Sequence, residues 1–358
     1  MTLEGEINVR VGEVRTESLD MSFGEIANLH MNHELIIDPE YQRLFRWSTQ
    51  QKSHLIESIL LELPIPQIFV IERDESVLEL IDGLQRVSTV LQFMDPESIG
   101  LEPLTLEGCT LITTLNNCKF LDLPLSLRLR LKRSSIRMTI IKRQSKPFLR
   151  YEMFKRLNTG GSNLDPQEVR NCSARMVGED GVKFYNFLVE QSQSEDFAAC
   201  ADYLSQPEKE KKGAEELVLR FFALKNARNE FHGSVRDWLD NYMEQVLLGK
   251  TDFKYSKERT IFQDVFKLAR EKLGDTAFLR YRGETPVGSL PPAYFEAISA
   301  AIFETRDLIR QKDPKALRKK ISELVQSETF KEVTGPGANS KEKLNKRISL
   351  AVEALKSA

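Results

Sequence analysis

The sequence predicts an α+β protein: an α/β domain over residues 1–173, then an all-helical domain over 174–358. Three observations carry that expectation. Short apolar runs broken by turn residues fill the first part of the chain. One of them runs straight into a glycine and then into a helical pattern. Beyond about residue 175 the apolar residues recur at helical spacing, with no strand-like alternation.

The elements follow in order. Residues 22–32 read as a short helix with Phe23, Ile26 and Leu29 on one face, and Leu35-Ile36-Ile37 as a strand. A second helix covers 49–62 through Leu55, Ile56, Ile59, Leu60 and Leu63. Pro64 and Pro66 end it, because proline lacks the N–H a helix interior needs. Gln67–Glu72 and Val77–Ile81 read as a hairpin joined by Arg73-Asp74-Glu75-Ser76, and a helix begins near Leu84.

Residues 95–120 read as an irregular insertion. Ser134–Lys142 alternates Ile136, Met138 and Ile140 with polar neighbours and reads as a strand. Pro147–Leu157 reads as helical and Asn158-Thr159-Gly160-Gly161-Ser162 as a tight loop. Asp165-Pro166-Gln167-Glu168 is the start of another helix. Further helices are expected over 181–192, 213–227, 234–248, 257–273, 291–306, 314–327 and 340–356, with a long Gly/Pro-rich loop around 283–292.

Composition limits the function classes. With 41% hydrophobic and 29% charged residues the chain reads as a soluble globular protein, and no run is apolar enough to span a membrane. The acidic N-terminus lacks the apolar core of a secretory signal, and Cys109, Cys118, Cys172 and Cys200 show no CxxC pairing. Both point to a cytoplasmic protein with reduced thiols. A net charge of -2 excludes a whole-chain basic field, so any nucleic-acid contact must use a local patch.

Three segments carry candidate chemistry. In Ile81-Asp82-Gly83-Leu84-Gln85-Arg86-Val87-Ser88-Thr89, a glycine between strand and helix lets a ligand approach the backbone. The helix N-terminus favours an anion, Arg86 adds a bidentate phosphate donor, and Asp82 offers a carboxylate to a metal ion, a ribose hydroxyl or a water. The alternative is a buried turn in which Asp82 caps the helix and Arg86 pairs with a carboxylate. Tyr41-Gln42-Arg43-Leu44-Phe45-Arg46-Trp47 interleaves arginines with aromatics, suited either to phosphate binding and base stacking or to a plain core edge.

Residues 125–160 hold Arg128, Arg130, Lys132, Arg133, Arg137, Lys142, Arg143 and four further Lys or Arg, against the single acid Glu152. That is the composition of a DNA-backbone footprint, or of a solvated or internally docked face. Gly249-Lys250-Thr251 is no P-loop, since Glu244 stands where the first glycine is required.

Taken together and in order, four motifs resemble one family. They are Tyr41-Gln42-Arg43…Arg46-Trp47, Leu55-Ile56-Glu57-Ser58-Ile59-Leu60…Pro64-Ile65-Pro66, Asp82-Gly83-Leu84-Gln85-Arg86…Ser88-Thr89, and Phe154 through Gly161 with Gln167-Glu168-Val169-Arg170-Asn171. The likeness is to the ParB/sulfiredoxin-like N-terminal domain of GmrSD-type, modification-dependent restriction enzymes, also found in phosphorothioate-sensing nucleases, and it covers roughly 20–175. It implies binding, and often hydrolysis, of a nucleoside triphosphate with Mg2+ at Asp82, Gly83, Gln85 and Arg86. Tyr41, Gln42 and Arg43 are then expected beside that turn, and Asn158 near the same cleft. Leu84 replaces a glutamine common in relatives.

The resemblance further implies DNA as partner and an anti-phage or restriction role. The HNH nuclease usual at the C-terminus is not expected here, because His232 has no histidine partner at motif spacing, so cleavage falls to a separate nuclease or other subunit. Two other classes stay open: a non-enzymatic ParB-like DNA-binding adaptor, and a nickase acting through the ParB-like domain.

Overall fold

In the computed structural model, residues 2–4, 15–37, 47–73, 76–145 and 165–358 are described. The chain divides into two compact units, Met1–Ser162 and Asn163–Ala358. The architecture is α+β, a sheet with helices followed by a helical region.

The first unit is built on a mixed five-stranded sheet. Its strands are β1 (Thr16–Ser22), β2 (Leu35–Ile36), β3 (Ile68–Glu72), β4 (Leu78–Asp82) and β5 (Ser135–Ile141), in the spatial order β1-β5-β3-β4-β2. β3 and β4 form the expected antiparallel hairpin, while β3–β5 and β4–β2 are parallel. Ile68, Val70 and Ile71 are fully buried, as an interior strand covered on both faces requires.

The strand β1 was not foreseen. Its sequence, TESLDMS, is mostly polar because β1 pairs only with β5, and its side chains are exposed or half-buried.

Helices α1 (Phe23–Met31), α2 (Thr49–Leu60), α3 (Leu84–Met94) and α4 (Leu125–Arg133) complete the unit. Ser22 caps α1 through the Glu25 N–H, and Ser48 forms a capping box with Gln51 on α2. Phe23, Ile56, Ile59, Val87, Leu91, Leu131 and Met138 meet in one core. Helix α4 lies in the basic stretch that sequence periodicity left without an element; it buries Leu131 there, while its charged residues mask the pattern.

Residues 95–120 are irregular as expected, with short 3-10 turns, and α2 pins them down. The Glu57 carboxylate, 3% exposed, accepts the N–H groups of Leu111 (2.8 Å) and Ile112 (2.6 Å). Ser53 accepts from the Glu107 N–H at 2.9 Å, and a His54 ring nitrogen lies 2.8 Å from the Gly108 carbonyl.

The second unit begins with α5 (Pro166–Met176) and α6 (Glu179–Ser192), followed by two short helices, α7 (Glu195–Ala201) and α8 (Gln206–Glu210). Then come α9 (Gly213–Ala227), α10 (Val235–Leu247) and α11 (Tyr255–Leu268), the last continued by a π turn over Ala269–Leu273. After a small hairpin, β6 (Arg280–Arg282) and β7 (Thr285–Val287), the chain ends in α12 (Pro292–Ile309), α13 (Pro314–Gln326), α14 (Glu328–Thr334) and α15 (Lys341–Ser357). The hairpin corrects the reading of this half as purely helical: each of its strands is three residues long, too short to show alternation.

Two features hold this unit together. Phe187, Phe221, Phe222, Phe253, Phe262 and Phe266 pack largely edge to face, with ring centroids 4.5–5.6 Å apart. Beside them runs a chain of alternating charges, Arg347–Glu296–Arg220–Glu216–Arg170–Asp240, crossing α15, α12, α9, α5 and α10. Burial pushes the Glu216 carboxyl up, but Arg220 and Arg170 together hold it below its ordinary 4.5.

Candidate nucleotide site and basic surface

The hairpin β3–β4 delivers Asp82 to the end of its strand. A register irregularity between Phe69 and Val70 sits opposite this end, where Phe69 pairs with Asp82 and Val70 with Leu80. Such a bulge bends a strand locally and re-aims its last side chain. Gly83 then turns the chain with φ +101° and ψ 13°, a left-handed conformation that non-glycine residues adopt at a penalty. A Cβ built there would lie 2.3 Å from Ile68 Cγ2, so both backbone and packing require glycine.

Gly83 is also the N-cap of α3, and no side chain among the described residues caps the helix. Asp82 therefore does not act as the cap. Its carboxylate instead accepts from Arg86 Nη2 at 3.1 Å, an i,i+4 pair folded over the helix N-terminus. The same Nη2 donates to the Gln67 carbonyl at 3.0 Å, while Arg86 Nε is buried with no acceptor among the described residues. The Arg86 side chain is 17% exposed and that of Asp82 29%. A buried guanidinium N–H without an acceptor is an open anion position at a helix end that already favours negative charge.

Gln85 faces the segment before α2, and its Oε1 accepts the Trp47 N–H at 3.1 Å. This contact joins the end of the aromatic-arginine motif to the glycine turn. Tyr41, Gln42 and Arg43 lie outside the described residues, as does Asn158. The Gln67 carbonyl and Ile68 are parts of the site that sequence reasoning missed. Neither carries a motif, because one acts through its backbone and the other through its bulk.

The basic residues divide into two groups. Arg137, on β5, holds both carboxylate oxygens of Asp20, at 3.0 and 3.1 Å, and Lys142 lies 2.6 Å from Glu17 and 3.5 Å from Glu72. Arg143, next to Lys142, donates its backbone N–H to Glu72 at 3.3 Å. Arg137 and Lys142 are thus each balanced by carboxylates of the same unit.

Arg128, Arg130, Lys132 and Arg133 stand on α4. Arg130 makes only long contacts, 3.9 Å to Glu62 and 3.4 Å to the Leu60 carbonyl, and the Lys132 ammonium lies 6.0 Å from the Phe120 ring centre. Arg128 Nε is buried without an acceptor among the described residues. Arg130 and Arg133, with Ser134, Ser135, Glu62 and Leu63, line an open cleft of about 400 Å³. Arginines flanked by hydroxyls suit a phosphate group there.

Residues 24–174 match the family model of the GmrSD restriction endonuclease N-terminal domain. The GmrSD-type match starts in α1, contains the whole Asp82–Arg86 turn and α4, and ends inside α5. It agrees with the span expected from the four motifs. No curated protein and no solved structure matches the chain. The last motif within the matched residues, Gln167 to Asn171, lies on α5. There Arg170, 2% exposed, bonds to Asp240 (2.6 Å), Glu216 (3.0 Å) and Gln167 (3.0 Å), and Gln167 bonds to Asn171 (2.9 Å). Its place is in the packing of the helical unit.

Proposed function

We propose that this chain is a nucleotide-binding DNA-recognition component of a restriction or anti-phage system, with a ParB/sulfiredoxin-like domain as its sensor. One observation carries the reading. Among the described residues Arg86 Nε is buried without an acceptor, beside a left-handed glycine at a helix N-terminus, within the segment that matches the family model. A phosphate oxygen would supply the missing acceptor and take Arg86 from Asp82. Asp82, released, would face Mg2+ carried in by the triphosphate; a single carboxylate suits that ion, which keeps waters and phosphate oxygens as its other ligands. Gln85 would orient the attacking water in hydrolysis. Tyr41, Gln42, Arg43 and Asn158 would complete the nucleotide pocket.

In this reading α4, with Arg128, Arg130, Lys132 and Arg133, holds the DNA backbone, Arg137 and Lys142 extend that footprint when Asp20, Glu17 and Glu72 release them, and Arg143 adds to it. Cutting, in the same reading, belongs to a separate nuclease or other subunit. The test is binding of a fluorescent triphosphate to the folded wild type and to Arg86→Ala. Loss of a charged hydrogen bond, about 1.5–3 kcal/mol, predicts affinity weaker by roughly ten- to a hundredfold. Equal affinity would remove the site assignment.

The adaptor reading shares the same pocket but without turnover. Pairing of the Asp82 carboxylate with Arg86, with no cluster of metal-ligating side chains among the described residues, favours it over a nickase. Phosphate release with and without DNA separates enzyme from adaptor.

A further inference from the structure

The helical unit carries a basic surface of its own, made of residues other than those assigned above. β6 and β7 form an antiparallel ribbon in which only Tyr281 is partly buried. Arg280 stands opposite Val287 and Arg282 opposite Thr285, so both arginines occupy one face, while Tyr281 and Pro286 share the other. The ribbon is fixed from behind. Tyr281 donates its hydroxyl to the Thr276 carbonyl at 3.2 Å. At the turn, the Gly283 N–H donates to Gln326 Oε1 (2.8 Å), and its carbonyl accepts from Ser322 (2.6 Å) and Gln326 Nε2 (2.9 Å).

Ser322 and Gln326 belong to α13, which is strongly amphipathic. It buries Leu317, Ile321, Leu324 and Val325 and exposes Lys315, Arg318 and Lys319. Between residues 310 and 320 the only acid is Asp313, and its carboxylate caps the helix by accepting the Ala316 N–H. Arg318 also donates to the Lys272 carbonyl at 3.3 Å. Among the described residues, Arg282, Lys315, Arg318 and Lys319 form no ion pair. Arg137 and Lys142 behave differently, each being matched by neighbouring carboxylates. In a chain of net charge -2, unmatched cations on two adjoining exposed elements mark a surface built for an anionic partner.

We propose that the arginine face of this ribbon and the outer face of α13 form a docking surface for duplex DNA. An α-helix and a two-stranded ribbon are the two shapes that the major groove admits. Cations without internal partners give up no ion pair on meeting phosphate and release condensed counterions when they do. Exposed Val287 and Thr285 beside the arginines add short side chains able to contact a thymine methyl group. The proposal rests on the reading of the chain as DNA-binding, and it adds a contact on the helical unit.

The test uses the full chain and a fluorescent duplex of about three helical turns, titrated by anisotropy between roughly 50 and 200 mM salt. Arg282→Glu and Lys319→Glu are combined in one variant, and Arg133→Glu on α4 is the comparison. The double variant is expected to bind about tenfold more weakly at the lowest salt, and its salt slope is expected to fall by about 2. Its melting temperature is expected to stay that of the wild type, because both side chains are exposed. Unchanged DNA affinity and slope in the double variant, with loss in Arg133→Glu, would overturn the proposal, leave the DNA reading standing, and leave the ribbon to an acidic protein. No duplex binding by the wild type would overturn both.

Discussion

Gly83 is the residue on which the turn depends. Its left-handed backbone and the contact a Cβ would make with Ile68 are independent demands, so Gly83→Ala is expected to lose about 2 kcal/mol or more. Denaturant unfolding of the full chain checks this, and a loss below about 0.5 kcal/mol would contradict the tight turn. Glycine at this place was legible, because a strand running into a helix leaves few other choices. The partner of Arg86 was half legible. A carboxylate was expected, but the sequence could not say that it would be Asp82, four residues earlier. That outcome needs Gly83 to serve as the cap, which frees Asp82 for Arg86.

At the scale of elements, α2 does more than fill the core. It holds the irregular insertion by a carboxylate that accepts two backbone N–H groups. Glu57→Ala leaves those donors buried and unmatched, so we expect a loss of about 2–4 kcal/mol. Hydrogen exchange is expected to rise first at Leu111 and Ile112, and exchange unchanged there would refute the anchoring role. Helices with a clean apolar stripe were legible to within a residue or two, as in α9 and α13. The elements that escaped were the edge strand β1, the arginine-rich α4, the short ribbon β6–β7 and the short helices α7, α8 and α14. Each hides its pattern for a physical reason: one-sided pairing, charge at most exposed positions, or too few residues for a period to show.

At the scale of the molecule, the helical unit encloses a chain of buried charges, which gives it a pH signature. The folded Glu216 carboxyl is held below its ordinary 4.5. A depressed carboxyl stabilises the fold above the unfolded value, and that contribution is lost as pH falls through the folded value. Stability of the helical unit is therefore expected to hold from neutral pH down to about 4.5 and to fall below it. Arg170→Met removes one of the two guanidiniums that lower Glu216 and leaves Asp240 buried with one partner fewer. We expect about 3–5 kcal/mol lost near neutral pH, with the acid transition moved upward. Urea melts at stepped pH would show both, and an unmoved acid transition would count against the network.

The α+β class was legible at this scale, whereas the joint between the units was not. The fourth motif reads as the tail of the first domain, yet its arginine is buried in the second. That buried arginine limits how the protein could have been assembled by exchange of parts. The family segment closes inside a helix whose inward face is already committed to carboxylates on α9 and α10. A chimera joined after residue 174 would inherit a cation looking for two anions. Only helical halves that bring acids to the places of Glu216 and Asp240 would accept it, so the arginine acts as a compatibility key at the seam.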